Sequence, residues 1–234
     1  MQQEMGTTPV RLTTGHGQHL AVRSLTVELV IDGPMCFSDL HITFANDLDR
    51  TVEGDLVFPL SPFAALTELT VAVGARKLRG KFRPRERAQA EYRRAVQAGQ
   101  TAALGEGEGE DLARLHIAPI EAGEDVAITL GVVHPLIPTA DGHRLLLPLT
   151  YMPRYVESPA ALNATEAAAV ERPRPLTLAA RAQVKISIRK GSTPIAVRFP
   201  SLANQPPITD GPGLLEVSLR DLPLDRDLQL EITD

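Results

Sequence analysis

Tryptophan is absent, aromatic residues are 4% of the chain, and a single cysteine, Cys36, occurs in 234 residues. One cysteine excludes an intrachain disulfide, and a chain of this length can stabilise a core without one. No basic cluster or histidine adjoins Cys36 in sequence, so it reads as a small buried hydrophobe, not a reactive thiol. Scarce aromatics leave few platforms on which nucleobases could stack, which disfavours nucleic acid as a partner. No apolar run has the length of a signal-peptide core or a membrane span, so a cytoplasmic location without membrane insertion is expected.

Catalytic signatures are equally missing. The six histidines are scattered, and His16 and His19, though close together, have no third ligand and lie in a segment expected to fray. His41 and His116 fall in strand patterns, where a structural role is expected. No H-E-x-x-H, C-x-x-C, P-loop or nucleophile-elbow pattern occurs. The acidic Gly105–Asp111 stretch (GEGEGED) lacks calcium-loop spacing and reads as a mobile loop. The expectation is a protein that is not an enzyme, with no catalytic residue, metal or cofactor.

What the chain does have is strand periodicity. Leu25, Val27 and Leu29 alternate with polar residues, Asp32-Gly33-Pro34 signals a turn, and alternation resumes from Cys36 to Phe44, which together predict a hairpin. Val52–Leu60 is a further strand that Pro59 and Pro62 prevent from continuing. Val126–Val133 is almost wholly apolar and suits a central strand, and Asp141-Gly142 marks another hairpin turn. Against this background one helix is expected over about Pro84–Ala98. Proline in its first turn, Ala88, Tyr92, Ala95 and Val96 at helical spacing and Gly99 at the C-cap all support it. Tyr92 and Ala95/Val96 should pack it on a sheet. The fold class is mainly β, mostly antiparallel, with one α-helix and a C-terminal strand-rich region.

Charge is unevenly distributed. Nine basic residues and two acidic ones lie between Arg76 and Arg94, a local charge of +7 in a chain of net −5, so the remainder carries −12. Strand alternation over Lys77–Phe82 puts Leu78, Gly80 and Phe82 on one side and Lys77, Arg79, Lys81 and Arg83 on the other. With Arg85 and Arg87 beside them, these six cations are the candidate protein-binding residues. A solvated face or a lysine-guarded edge strand explains the same pattern without function.

Five separated motifs then occur in order. Phe44-x-Asn46 comes first, then Val57-Phe58-Pro59-Leu60. The helix pattern follows, Arg85-Glu86-Arg87-Ala88-x-Ala90-x-Tyr92-x-x-Ala95-x-x-x-Gly99-x-x-Ala102-Ala103-Leu104. Ile117-Ala118-Pro119-Ile120-Glu121-Ala122-Gly123-Glu124-Asp125-Val126 is the fourth, and Leu147-Pro148-x-x-Tyr151-x-Pro153-Arg154-Tyr155 the last. Over about Leu25–Tyr155 the chain resembles the VIT (vault protein inter-alpha-trypsin) domain family. It departs from that pattern at Ala118-Pro119, at Ala122 and in the GEGEGED segment.

The resemblance implies an antiparallel β-sandwich-like domain with one helix, serving as a non-catalytic interaction or scaffold module. On this reading residues 1–156 are the VIT domain with an N-terminal extension, 157–175 a linker and 176–234 a C-terminal β region. The last is similar to the piece that precedes a von Willebrand A domain in longer relatives. The expected partner is a protein, either a von Willebrand A-type domain or an acidic protein surface. A polyanion or nucleic-acid binder acting through Lys77–Arg87 is the alternative.

Overall fold

The computed structural model describes residues 8–61, 63–81, 85–108, 112–151, 181–191, 195–224 and 227–233. The expected linker, 157–175, lies outside the described residues. The chain opens with β1 (Thr8–Pro9) and β2 (Arg11–Thr14), then the long hairpin β3 (Ala21–Asp32) and β4 (Met35–Ala45), then β5 (Val52–Pro59), β6 (Ala65–Val73) and β7 (Arg76–Arg79). The helix α1 (Arg85–Gln97) leads into β8 (Ala102–Glu108), β9 (Leu112–Ile120), β10 (Asp125–Pro135), β11 (Ile137–Thr139), β12 (Gly142–Leu147) and β13 (Thr150–Tyr151). The C-terminal part adds β14 (Arg181–Arg189), β15 (Ala196–Arg198), β16 (Ile208–Gly211), β17 (Leu214–Pro223) and β18 (Leu228–Thr233).

The largest sheet has eight strands in the order β16-β17-β14-β3-β4-β10-β6-β7. Two four-stranded sheets, β2-β5-β9-β8 and β11-β12-β18-β15, and the short pair β1-β13 complete the fold. The expected mainly β class with one helix is what forms. Pairing is antiparallel except between β3 and β14, which run parallel with Leu25 beside Ala182 and Ile31 beside Ile188. The C-terminal strands share sheets with the N-terminal ones, because β18 also pairs with β12.

Period-2 alternation decides which face is buried. Leu25, Val27, Leu29 and Ile31 of β3 point inward, as do Ile42 and Phe44 of β4 and Val126, Ile128 and Leu130 of β10. As its apolar run required, β10 lies between β4 and β6. These side chains join Leu12, Leu56, Leu115 and Ile117 of one small sheet and Leu145, Leu147 and Leu230 of the other in a single core. Fully burying each such side chain contributes roughly 1.5–3 kcal/mol.

Two local expectations are corrected. Leu12 is fully buried in β2, which pairs with β5, so Arg11–Thr14 form a sheet strand within a segment where fraying was expected. The GEGE portion of the acidic stretch is likewise part of β8, paired with β9, where a mobile loop was expected. Its period of two is a strand period. Opposite Glu106 stands Arg114, an opposite-charge cross-strand pair, so the ladder forms without much apolar area to bury.

Candidate interaction surface

The basic segment enters the structure as β7, which pairs with β6 only over Arg76–Arg79 and ends the eight-stranded sheet. It ends at Arg79, before the Phe82 that alternation predicts and that lies outside the described residues. A Cβ on Gly80 would stand 3.0 Å from both the Leu69 carbonyl oxygen and the Leu69 Cβ, so only glycine fits there without a shift. Lys77 and Arg79 are exposed on one side of β7, and Lys81 is exposed just past its end.

The six candidate cations therefore divide. Lys77, Arg79 and Lys81 have no carboxylate partner among the described residues, whereas Arg87 pairs with Glu91 at 2.9 Å. Arg83 and the side chain of Arg85 lie outside the described residues. Arg76, which precedes the row, turns inward, donating from Nε to the Val73 carbonyl at 3.2 Å and pairing with Glu124.

The helix is described over Arg85–Gln97 and ends one residue before the expected Ala98, and Pro84 lies outside the described residues. It ends in a Schellman motif. Gly99 N–H donates to the Val96 carbonyl and Gln100 N–H to the Ala95 carbonyl, both at 2.9 Å, with Gly99 at φ 70°. Tyr92, Ala95 and Val96 are only half-buried, and no α1 side chain belongs to the core. An alanine-rich stripe has little area to bury, so the helix caps β8 and does not organise the sheets.

Between α1 and the two sheets runs an open groove of about 490 Å³. Its walls are the first half of β6, the turn after β7 and β8, with Ala88 and Tyr92 of the helix above them. Thr101 contributes a buried hydroxyl with no hydrogen-bond partner among the described residues. Burial, and next the carboxylates of Glu53 and Asp55, push the Tyr92 phenol up to about 12. Beside it, Gln89 Nε2 donates to Glu106 Oε1 at 2.8 Å, and His116 meets Asp55 Oδ1 through Nδ1, with its Nε2 4.0 Å from Glu106 Oε2.

Sequence reading singled out neither Asp55 nor Glu106 beside His116. Strand parity puts each on a definite face, but the register that joins β5, β9 and β8 is long-range. Of the other histidines, His41 faces outward with its Nδ1 3.2 Å from Thr129 Oγ1, and His19 Nδ1 lies 3.2 Å from Thr13 Oγ1. His134 is buried, its Nε2 3.1 Å from Ser38 Oγ, which in turn is 3.6 Å from Cys36 Sγ.

Burial pushes the Cys36 thiol up to about 11, against a smaller lowering by Ser38, so the thiolate is scarce near neutral pH. Burial also lowers the His134 pKa, opposed by a backbone hydrogen bond at Pro135. This trio is a neutral, enclosed polar chain inside the sheet. Among the described residues, no group of three or more His, Cys, Asp or Glu is placed to hold a metal ion, and no helix is long and apolar enough to cross a membrane.

Asn46, the polar residue of the first motif, is fully buried. Its Nδ2 serves the carbonyls of Arg50, Ile120 and Glu121 at 2.9–3.2 Å, and its Oδ1 accepts from Leu48 N–H at 3.2 Å. That clamp ties the first family motif to the fourth. Residues 22–132 match the family model described as the vault protein inter-alpha-trypsin domain. The chain carries a VIT domain.

Similar proteins extend the observation. Von Willebrand factor A domain-containing protein 5A of Rattus norvegicus is 26% identical over 147 residues, which are 62% of this chain and 18% of that protein. The Homo sapiens counterpart is also 26% identical, over 62% of this chain and 19% of its own length. The matched region is thus about a fifth of these relatives. Among solved structures, a Legionella pneumophila protein described as nutrient-binding superposes with TM-score 0.50 at 13% identity, over 97% of this chain and 70% of that one. This last likeness shows the VIT-containing chain's fold alone.

Proposed function

We propose that this VIT-containing chain is a non-catalytic protein-interaction module that meets an acidic protein surface through the β7 edge. The observation that carries the reading is selective pairing of charge. On the same sheet Lys185 pairs with Glu28, Arg189 with Asp32 and Arg76 with Glu124, while Lys77, Arg79 and Lys81 have no acidic partner among the described residues. Unpaired cations concentrated on one edge of an otherwise acidic chain steer an acidic partner there and speed its association. Because the relatives are von Willebrand factor A domain-containing proteins, a domain of that type is the first partner to try. We place its action in the cytoplasm, which its one free and buried cysteine supports.

Reversing Lys77, Arg79 and Lys81 to glutamate tests this. The variant should keep its melting temperature, since exposed changes usually stay within about 0.5 kcal/mol each. It should associate at least tenfold more slowly with the partner at low salt. Unchanged association would remove the edge from consideration. The same unpaired cations also suit a polyanion, and salt separates the two readings. Release of counterions from many phosphates gives a steep log-log loss of affinity, and a protein interface gives a shallow one.

A further inference from the structure

The groove beside β7 has an incomplete wall. β6 runs from Ala65 to Val73, but β7 pairs only with its second half, Thr70–Val73. The last bond of that ladder is Gly80 N–H to the Leu69 carbonyl at 2.7 Å. From Leu66 to Glu68, β6 has no strand on that side among the described residues. On its other side the register with β10 steps from Glu68 opposite Gly131 to Leu66 opposite Val132, so Thr67 is a bulged residue with no counterpart. Across the groove, β8 is the outer strand of its own sheet. Open strand edges offer unpaired backbone donors and acceptors to any extended chain that reaches them.

Cations outnumber uncompensated carboxylates in the groove. Glu91 is engaged by Arg87 and Glu68 accepts only from the neutral Thr70 Oγ1 at 3.3 Å, while Arg79 and Lys81 have no acidic partner among the described residues. Three residues before Leu66, a turn held by Ala64 N–H to the Ser61 carbonyl at 3.0 Å and by Ser61 Oγ to the Leu146 carbonyl at 2.8 Å presents Phe63. Phe63 is 87% exposed and has φ 61°, a left-handed conformation that non-glycine residues seldom adopt. An open edge and two cations thus line one groove, and an exposed aromatic stands three residues before that edge in the chain.

We propose that an extended acidic segment of a partner protein binds by strand addition to the open edge of β6 at Leu66–Glu68, in line with β7, its carboxylates meeting Arg79 and Lys81. This rests on the interaction reading above and specifies how the partner is held. Backbone bonds supply the affinity, as in other strand-addition complexes, and the two cations select for acidic residues at alternate positions.

The test uses the full chain and a fluorescent heptapeptide alternating glutamate with valine. Two controls accompany it, one with lysine in place of glutamate and one with every backbone amide methylated. The acidic peptide should bind, and each control should bind at least tenfold more weakly. The double variant R79E/K81E, melting as wild type does, should lose at least tenfold in affinity for the acidic peptide. Exchange of the Thr67 amide should slow when the acidic peptide is bound. If the methylated peptide binds as well as the parent while R79E/K81E binds neither, strand addition is overturned and the charge-led surface stands. If R79E/K81E binds the acidic peptide as wild type does, both readings fall. If single-stranded oligothymidylate displaces the acidic peptide and binds more tightly, the partner is a polyanion and the proposal is overturned.

Discussion

Asn46 reaches Glu121 across two turns, its Nδ2 donating to the Glu121 carbonyl at 2.9 Å, while Gly123 N–H donates to the Asn46 carbonyl at the same distance. One side chain therefore closes the turn after β4 and the turn before β10 together. We predict that Asn46→Ala destabilises the fold by about 3 kcal/mol, because several carbonyls lose their donor in a fully buried place. Asn46→Asp should cost at least as much, since a carboxylate faces those carbonyls with no proton to give. Chemical denaturation measures both, and a loss below about 0.5 kcal/mol would refute the clamp.

Acid should weaken the fold through His134. Its pKa is lowered in the folded state, so below the ordinary histidine value of about 6.5 the unfolded chain binds a proton that the folded chain resists. Stability from this group is full above that value and is lost as pH falls through the folded pKa. Comparing the melting temperature at mildly acid and neutral pH in wild type and His134→Gln should show a smaller acid-induced drop in the variant.

Alkali should act through Tyr92, with the opposite sign. A phenol raised to about 12 stays protonated in the folded chain while the unfolded chain ionises near 10, so stability falls as pH climbs between those values. Tyr92→Phe should flatten that slope. Tyr92→Ala should cost about 1.5 kcal/mol, less than a full core truncation, because the ring is half-buried.

The Cys36 thiol, raised to about 11 and fully buried, should react with a thiol-labelling reagent at neutral pH at least a hundredfold more slowly than in the denatured chain. Labelling of native protein at the denatured rate would show that the Cys36–Ser38–His134 chain is open to solvent.

What local sequence could convey was conveyed well. The β3–β4 hairpin is legible because alternation and the Asp32-Gly33-Pro34 turn are both short-range, and α1 because its cap and stripe lie within one segment. The positions of Lys77 and Arg79 on one strand face were legible for the same reason. That this strand is the last of its sheet was not, because edge position depends on which strands fail to pair. Asn46 was visible only as a letter in a motif, since its partners Ile120 and Glu121 lie 74 and 75 residues away. The Asp55–His116–Glu106 group required the joint register of β5, β9 and β8. The strand character of the acidic stretch was not legible in its small apolar area, because it depends on the ladder with β9.

The parallel seat of β14 beside β3 sets an order of events during synthesis. β3 is among the first strands made, yet the neighbour that covers its second edge ends at Arg189, and the ion pair Lys185–Glu28 joins residues 157 positions apart. Until that stretch has left the ribosome, the growing chain carries an apolar strand with one edge bare. Contacts of such separation make folding slow. A bare edge of this kind is also a template for other chains. The interval between the emergence of Ala21 and that of Arg189 is therefore when this protein is most exposed to aggregation and most in need of a chaperone.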